Sequence, residues 1–309
     1  MLKPNKLNPG ATIGIVSPSY HIDEKIFKHS TQLFRERGFN IIEGKSVRLK
    51  DNLYSGTPKQ RAQDINDMFA NPKIDAIICA RGGYGANRVL PLLNFEIIRQ
   101  NPKIFIGYSD ITAFLISITQ KTGLVTFHGP MLTSYKDGFV EYNYKHFIKG
   151  LSGEFPFTIE AHRDLQLRVL KKGKAIGPLW GGNLCLLSNR LGTPENLNTD
   201  GIILFIEDVN EQCYRFDRMM VHMQKAGMFA NIKGLIVGEL VDMHDTDPLF
   251  GKNSDEIVMD VCSDLEVPIV TNFPCGHGKY QATLPISISA ELDATTENPT
   301  LTILESPIV

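Results

Sequence analysis

A serine stands where an apolar run gives way to a helix-like run. Ser109 follows the apolar residues 103–106 and Gly107-Tyr108, and it precedes the helix-like residues 111–116. On a sharp strand-to-helix turn, a serine hydroxyl is exposed beside amide N–H groups that can stabilise an oxyanion, as a catalytic nucleophile requires. The hydrolase pattern G-x-S-x-G is matched only in part, because Ile111 replaces the second glycine. A serine that merely caps the helix explains this stretch alone equally well.

A serine nucleophile needs a base, and two of the eight histidines stand at or after the ends of apolar runs. His277 lies between glycines in residues 274–278, after the apolar run 268–271, and His128 ends a predicted strand near the serine. A histidine in a loop after a buried strand is a better candidate base than one on a helix face. Polar or helical surroundings predict surface or helix positions for His21, His29, His146, His162 and His222.

The candidate for the orienting acid is Glu207, which closes the apolar strand 202–206. A carboxylate at such a position is partly buried and needs a partner. The alternative is that Glu207 or Asp208 caps the helix after Val209, and this suits Asp208 better. The order Ser109, Glu207, His277 is that of α/β-hydrolases, which gives weak support to a Ser-His-Glu triad.

A glycine loop, residues 81–88, follows the apolar run 74–80. Glycines after a buried strand let backbone N–H groups approach a ligand, although an ordinary tight turn looks the same. Ligands of open α/β sheets bind at the carboxyl ends of the strands, so this loop and Ser109 should lie at the same edge of the sheet. Neither a dinucleotide fingerprint nor a phosphate-binding P-loop is present. The acidic stretch 242–247 is better interpreted as a solvated loop than as a metal site.

The elements that must position these residues alternate between strand and helix up to about residue 135. This alternation predicts an α/β fold with an N-terminal, Rossmann-like parallel-sheet domain at 1–135. The pattern then changes, which suggests a connector at 136–170 and a second, α+β domain at 171–309 that supplies Glu207 and His277. The active site would lie at the domain interface. Two strands, 285–292 and 300–304, are predicted at the end.

Composition excludes several function classes. The 309 residues are 42% hydrophobic and 21% charged, with a net charge of −2, so no basic field would hold nucleic acid or an anionic membrane. No apolar run is long enough to span a bilayer, and the N-terminus lacks the apolar core of a secretory signal. Five scattered cysteines without a C-x-x-C pair are typical of reduced, cytoplasmic proteins.

Taken together, the motifs resemble the LD-carboxypeptidase family of serine peptidases, which also includes the microcin C immunity peptidases. The resemblance covers nearly the whole chain and rests on residues 80–85, 106–110, 181–184, 206–208 and 276–278. It implies a triad of Ser109, His277 and Glu207, and an oxyanion hole formed by the backbone N–H groups of Asp110 and Gly83. It also implies a homodimer that works without metal or cofactor.

Typical members of this family cleave the bond before the terminal D-alanine of cytoplasmic muropeptides during cell-wall recycling. The immunity branch instead cleaves aminoacyl or peptidyl nucleotides and stacks the base on an aromatic ring. Arg81 and Asn183 are the candidates for binding the substrate carboxylate. Trp180, the only tryptophan, keeps the immunity branch open, although a core or interface position is favoured for it. The rivals from other classes are a peptide- or nucleotide-binding protein with an inactive site and a Rossmann-type oxidoreductase.

Overall fold

The computed structural model describes every residue from Met1 to Val309, and the chain divides into two units. Unit 1 comprises residues 1–154, 282–286 and 306–309, and unit 2 comprises residues 155–281 and 287–305. The strands are β1 (Thr12–Val16), β2 (Asn40–Glu43), β3 (Ala76–Cys79), β4 (Ile104–Gly107), β5 (Phe127–His128), β6 (Phe157–Ile159), β7 (Arg168–Lys171), β8 (Lys174–Asn183), β9 (Ile203–Val209), β10 (Gly234–Val241), β11 (Ile269–Gly276), β12 (Leu284–Pro285), β13 (Ser289–Asp293) and β14 (Thr300–Ile303). The α-helices are α1 (Glu24–Glu36), α2 (Pro58–Ala70), α3 (Ala86–Val89), α4 (Phe95–Gln100), α5 (Thr112–Thr122), α6 (Glu141–Ser152), α7 (Leu184–Asn189), α8 (Cys213–Lys225) and α9 (Ser254–Cys262).

Unit 1 is built on a six-stranded sheet in the order β12-β5-β4-β3-β1-β2. The five strands β1 to β5 are parallel, as the alternating pattern predicts, and β12 pairs antiparallel with β5. Every residue of β3 and of β4 is buried, which explains why these strands appear in the sequence as unbroken apolar runs. Their carboxyl ends lead into the glycine loop and into the turn that carries Ser109.

Local signals set the ends of the first two helices. The carboxylate of Asp23 accepts hydrogen bonds from the backbone N–H groups of Lys25 and Ile26, and this caps α1. Gly38, with φ at +86°, follows the end of α1 and adopts the left-handed conformation common after helices. Thr57 and Gln60 form a reciprocal capping box at the start of α2.

Unit 2 is built on an eight-stranded mixed sheet in the order β6-β14-β13-β8-β9-β10-β11-β7. The four central strands β8 to β11 are parallel, and their outer neighbours are antiparallel. β8 and β9 lie very close together at Gly181, because a Cβ there would be 1.8 Å from the carbonyl oxygen of Phe205. Because β8 to β11 are parallel, their carboxyl ends lie at one edge of this sheet. They bring together residues 181–183, 207–208, 239 and 276–277.

The division of the chain differs from the boundaries expected at residues 135 and 170. Residues 136–154 belong to unit 1, because α6 buries Phe147 against Phe34 of α1, with 5.8 Å between the ring centroids. The single strand expected at 285–292 is two strands, with β12 in unit 1 and β13 in unit 2. Ser287 separates them with φ at +70°, a conformation that interrupts an extended strand.

No helix of the chain has the length and apolar character needed to cross a membrane.

Candidate active site

Ser109 occupies a sharp turn between β4 and α5. Its φ is +62°, a left-handed conformation that residues other than glycine adopt rarely. The turn is tight, since a Cβ at Gly107 would lie 2.8 Å from Cγ2 of Ile111. The capping interpretation of Ser109 fails, because the 3₁₀ turn Ser109–Ile111 has Tyr108 as its N-cap and no side-chain cap hydrogen bond. A left-handed serine at the end of a buried strand is the geometry of a nucleophile elbow.

The glycine loop lies directly against this serine, as expected for two loops at the same edge of the sheet. A Cβ at Gly82 would lie 2.9 Å from Cβ and 3.0 Å from Oγ of Ser109. Gly83 has φ at +120°, and a Cβ there would lie 2.3 Å from the ring of Tyr20. Only glycine combines this conformation with such close packing, so the loop brings bare backbone next to the serine hydroxyl.

Glu207 and His277 form a hydrogen-bonded pair in unit 2. Glu207 lies on β9 with its side chain fully buried, and His277 directly follows β11. Oε2 of Glu207 is 2.7 Å from Nδ1 of His277. Burial lowers the pKa of His277, but the charge and hydrogen bond of Glu207 and the charge of Asp208 outweigh it, so the pKa lies above its ordinary value. A carboxylate that holds Nδ1 directs proton transfer to Nε2.

The neighbouring carboxylate, Asp208, has a different task. It accepts hydrogen bonds from Nδ2 of Asn183 at 3.0 Å, from the N–H of Cys185 at 2.9 Å and from the N–H of Val209 at 2.9 Å. Burial and the adjacent charge of Glu207 raise its pKa to about 7. Asp208 therefore joins β9 to the start of α7, and neither it nor Glu207 caps α8, whose N-cap is Gln212.

The three residues predicted to bind substrate occupy different environments. Arg81 is exposed, and its guanidinium donates a hydrogen bond to the carbonyl of His21 at 3.3 Å. Asn183 is buried, with its amide on Asp208 and its carbonyl capping α7. Trp180 lies on β8 and is partly exposed, so it is not a core residue.

The other polar residues considered as candidates are buried or hydrogen-bonded within their own loops. His128 is buried in unit 1 with its ring 6.1 Å from that of Tyr108. His146 is buried on α6, where desolvation lowers its pKa to about 4. In the stretch 242–247, the carboxylate of Asp245 accepts N–H groups of its own loop, and no group of three or more potential ligand residues in the chain could hold a metal ion.

The loop that carries His277 is held by residues that the sequence analysis did not select. The hydroxyl of Tyr280 donates to Asp164 at 2.8 Å, and its ring stacks on His162 with centroids 4.1 Å apart. Nε2 of Gln281 donates to the carbonyl of Gly276 at 2.6 Å. Asp164 and Tyr280 are 116 residues apart in sequence, so no local pattern could reveal the pair.

The side chain of Asp110 was also missed, since only its backbone N–H was considered. Its carboxylate is buried and accepts hydrogen bonds from Ser19 and from the N–H of Ala86. The signal that could have found Ser19 is its place after β1, at the same edge of the sheet as Ser109. The candidate residues are thus divided, with Ser109, Asp110 and Gly83 in unit 1 and Glu207 and His277 in unit 2.

Comparison with known proteins gives matches along nearly the whole chain. Residues 13–129 match the model of the LD-carboxypeptidase N-terminal domain, and residues 176–292 match that of the C-terminal domain. A probable murein peptide carboxypeptidase of Bacillus subtilis is 34% identical, and the match covers 94% of this chain and 91% of that protein.

Two solved structures are similar over their entire length. A structure of MccF in complex with glutamyl sulfamoyl guanosine has a TM-score of 0.92 at 27% identity and covers 100% of both chains. A muramoyltetrapeptide carboxypeptidase of Oxalobacter formigenes has a TM-score of 0.86 at 28% identity and covers 96% of this chain and 100% of that one.

Proposed function

Because this chain belongs to the LD-carboxypeptidase family of serine-type carboxypeptidases, we propose that it removes the terminal D-alanine from muropeptides with a Ser109-His277-Glu207 triad. The bond cleaved joins an L-centre to the D-alanine. The observation that carries the proposal is the hydrogen bond of 2.7 Å between the buried Glu207 and the partly exposed His277, which suits a general base and its orienting acid. The left-handed Ser109 supplies a matching nucleophile.

The reaction starts with nucleophilic attack. His277 takes the proton of the Ser109 hydroxyl through Nε2, and the serine oxygen attacks the carbonyl carbon of the scissile bond. The backbone N–H groups of Asp110 and Gly83 stabilise the resulting oxyanion. His277 then gives the proton to the nitrogen of the leaving D-alanine, and an ester between Ser109 and the shortened peptide remains.

Hydrolysis of this ester completes the cycle. His277 takes a proton from water, the resulting hydroxide attacks the ester carbonyl, and the serine oxygen leaves with the proton returned by His277. Glu207 stabilises the imidazolium in both halves of the reaction, which its buried position and its effect on the pKa of His277 support. The mechanism needs no cofactor.

Recognition of the free carboxylate of D-alanine needs a cation or amide donors. Arg81 is our candidate, because it is an exposed guanidinium at the start of the glycine loop beside Ser109. Asn183 is the weaker candidate, since its amide already donates to Asp208. Arg81→Lys should raise KM for the tetrapeptide more than it lowers kcat, because a point charge replaces a bidentate group.

A second candidate substrate is an aminoacyl or peptidyl nucleotide. Two observations favour it: the similarity to the MccF structure that contains glutamyl sulfamoyl guanosine, and the partly exposed ring of Trp180, which could stack on a base. Trp180→Phe should then weaken turnover of the nucleotide substrate and leave turnover of the muropeptide unchanged.

One experiment separates the two substrates. The protein is incubated with a muropeptide tetrapeptide and, in parallel, with an aminoacyl sulfamoyl-adenosine, and the products are identified by mass. Loss of one alanine from the tetrapeptide supports the muropeptide proposal, and release of the free amino acid from the adenosine supports the alternative. Turnover of neither, by folded protein, would contradict both.

We also propose that the enzyme is a cytoplasmic homodimer, in line with the family resemblance and the five cysteines without disulfide bonds. Light scattering coupled to gel filtration should give twice the chain mass of 34.5 kDa. A mass of one chain at micromolar concentration would contradict the dimer.

A further inference from the structure

Three loops of unit 1 meet at the carboxylate of Asp110. They follow β1, β3 and β4, which are adjacent strands of the parallel sheet. Oδ2 of Asp110 accepts a hydrogen bond from the hydroxyl of Ser19 at 2.5 Å and another from the N–H of Ala86 at 2.9 Å, and the N–H of Gly85 also donates to this carboxylate. One side chain therefore joins the serine turn, the glycine loop and the loop after β1.

This carboxylate lies in an unfavourable place for a charge. Asp110 is 2% exposed, and burial raises its pKa against the opposing effect of the three hydrogen bonds and of Arg61. Arg61 is itself buried and donates to the carbonyl of Pro18 at 2.7 Å, in the loop after β1, and to that of Gly56 at 3.1 Å, ahead of α2. A buried charge is stable only when donors satisfy it, and here two of the three donors are backbone N–H groups of the glycine loop.

The glycine loop needs such an anchor because its own residues do not fix it. Gly83 and Gly85 have φ values of +120° and +117°, and glycine populates many other conformations as readily. The loop is held at Gly82, whose carbonyl accepts the N–H of Tyr20 at 3.2 Å, and at Gly85 and Ala86, which donate to Asp110. The amide of Gly83 lies between these two anchors.

We propose that the Asp110 carboxylate is a positioning residue that fixes the Gly83 amide relative to Ser109 and so preorganises the oxyanion hole. This inference rests on the proposed function. An oxyanion hole accelerates reaction only when its donors are already in place, because reorienting them during the reaction offsets the gain. Asp110 directly follows Ser109 in the chain. Its backbone is therefore part of the turn that holds the nucleophile, and its side chain fixes the glycine loop.

The test compares Asp110→Ala, Asp110→Asn and Ser19→Ala with the wild type on a muropeptide tetrapeptide. The kcat of each is expressed per reactive serine, counted by the endpoint of fluorophosphonate labelling. Asp110→Ala should lower this kcat by about 10²- to 10³-fold, the loss typical of one oxyanion donor, with KM almost unchanged. Asp110→Asn and Ser19→Ala should each lower it by about 10-fold, because each keeps part of the hydrogen bonding.

A second readout is the affinity for a peptide boronic acid, whose adduct with serine carries the oxyanion. This affinity should fall in parallel with kcat in the three variants. A role in folding alone would lower the labelled fraction and the melting temperature, but it would change neither kcat per labelled serine nor boronate affinity.

The matched control is Asp64→Ala. Asp64 is another buried carboxylate of unit 1 that ties a loop, accepting the N–H of Lys45 at 2.8 Å and the N–H of Ser46 at 2.7 Å. Its loss should lower stability and leave kcat per labelled serine unchanged. If Asp110→Ala does not fold, the other two variants decide: an unchanged kcat in both overturns the inference. If the wild-type protein shows no turnover of the tetrapeptide that Ser109→Ala abolishes, that result contradicts the proposed function rather than this inference.

Discussion

Gly276 leaves the space that the carboxylate of Glu207 fills. A Cβ at position 276 would lie 2.5 Å from Oε2 of Glu207, the same oxygen that bonds His277. On the other side of the histidine, a Cβ at Gly278 would lie 2.0 Å from Oε1 of Glu239. The two glycines that mark His277 in the sequence are thus required by two carboxylates on β9 and β10.

Gly276→Ala should damage both stability and activity. Gly276 has φ at +98°, so alanine there is strained, and its Cβ would also displace the carboxylate that orients His277. The free energy of unfolding should fall by more than the ~1–2 kcal/mol expected for left-handed strain alone, and kcat should fall with it. Denaturant melts and steady-state kinetics measure the two effects.

Gly251→Ala is the matched control for this variant. Gly251 has φ at +82°, and a Cβ there would meet nothing within 4 Å, so this change adds strain without a clash. It should lower stability by ~1–2 kcal/mol and leave kcat unchanged. Equal losses of stability in the two variants, with full activity in both, would show that Gly276 is not needed to seat Glu207.

Ser109→Ala should lower kcat by about 10⁴-fold or more, as removal of a triad nucleophile does, while the protein stays folded. Hydrolysis of the tetrapeptide and labelling by a fluorophosphonate probe are the measurements. Ser152→Ala, which removes a hydroxyl that donates to a carbonyl within α6, should change neither. A folded Ser109→Ala protein that retains most of its activity would exclude Ser109 as the nucleophile.

Glu207→Gln should be harmful but less so than Ser109→Ala, because the amide keeps a contact with His277 and loses the charge that stabilises the imidazolium. The matched variant Asp208→Asn should mainly lower stability, since Asp208 holds Asn183 and the start of α7. Kinetics at several pH values and thermal melts distinguish the two. Normal turnover by Glu207→Gln would move the acid role to another carboxylate.

The pH profile should follow the protonation of His277. A base works only when neutral, so kcat/KM should rise as the pH increases through the His277 pKa, which lies above the ordinary 6.5 because of Glu207 and Asp208. Glu207→Gln should move this rise to lower pH. The raised pKa also means that the charged pair stabilises the fold at low pH, and this stability is lost as the pH rises through the folded-state pKa.

The pH dependence of the nitrogen NMR shifts of the imidazole measures the pKa of His277 directly. A kcat/KM that stays constant from pH 5 to 8, or a His277 pKa below that of a free imidazole, would contradict this assignment of the base.

The sequence was sufficient to predict the parallel strands and to select candidate residues near their carboxyl ends. Apolar runs located β3, β4 and β9, and they pointed to Ser109, two residues after β4, and to Glu207, within β9 itself. That reasoning works because burial on both faces leaves an unbroken apolar signal, and because the carboxyl ends of parallel strands share one edge.

The sequence could not show contacts between distant segments of the chain. Ser19 and Asp110 are 91 residues apart, and a hydroxyl and a carboxylate both look like exposed polar residues until the fold buries them. The left-handed φ of Ser109 is also set by the closeness of β4 and α5 rather than by the serine itself. The sequence also could not show that residues 136–154 join unit 1, because the burial of Phe147 against Phe34 is a tertiary contact.

The two units are interleaved along the chain, since unit 1 resumes at 282–286 and again at 306–309. Its sheet receives the sixth strand from Leu284–Pro285, and Val309 exchanges backbone hydrogen bonds with Lys6 and Pro4. During synthesis on the ribosome, unit 1 must therefore wait for nearly all of unit 2 before its own edge strand arrives. A fragment that stops at residue 154 lacks β12 and therefore leaves the edge of β5 unpaired.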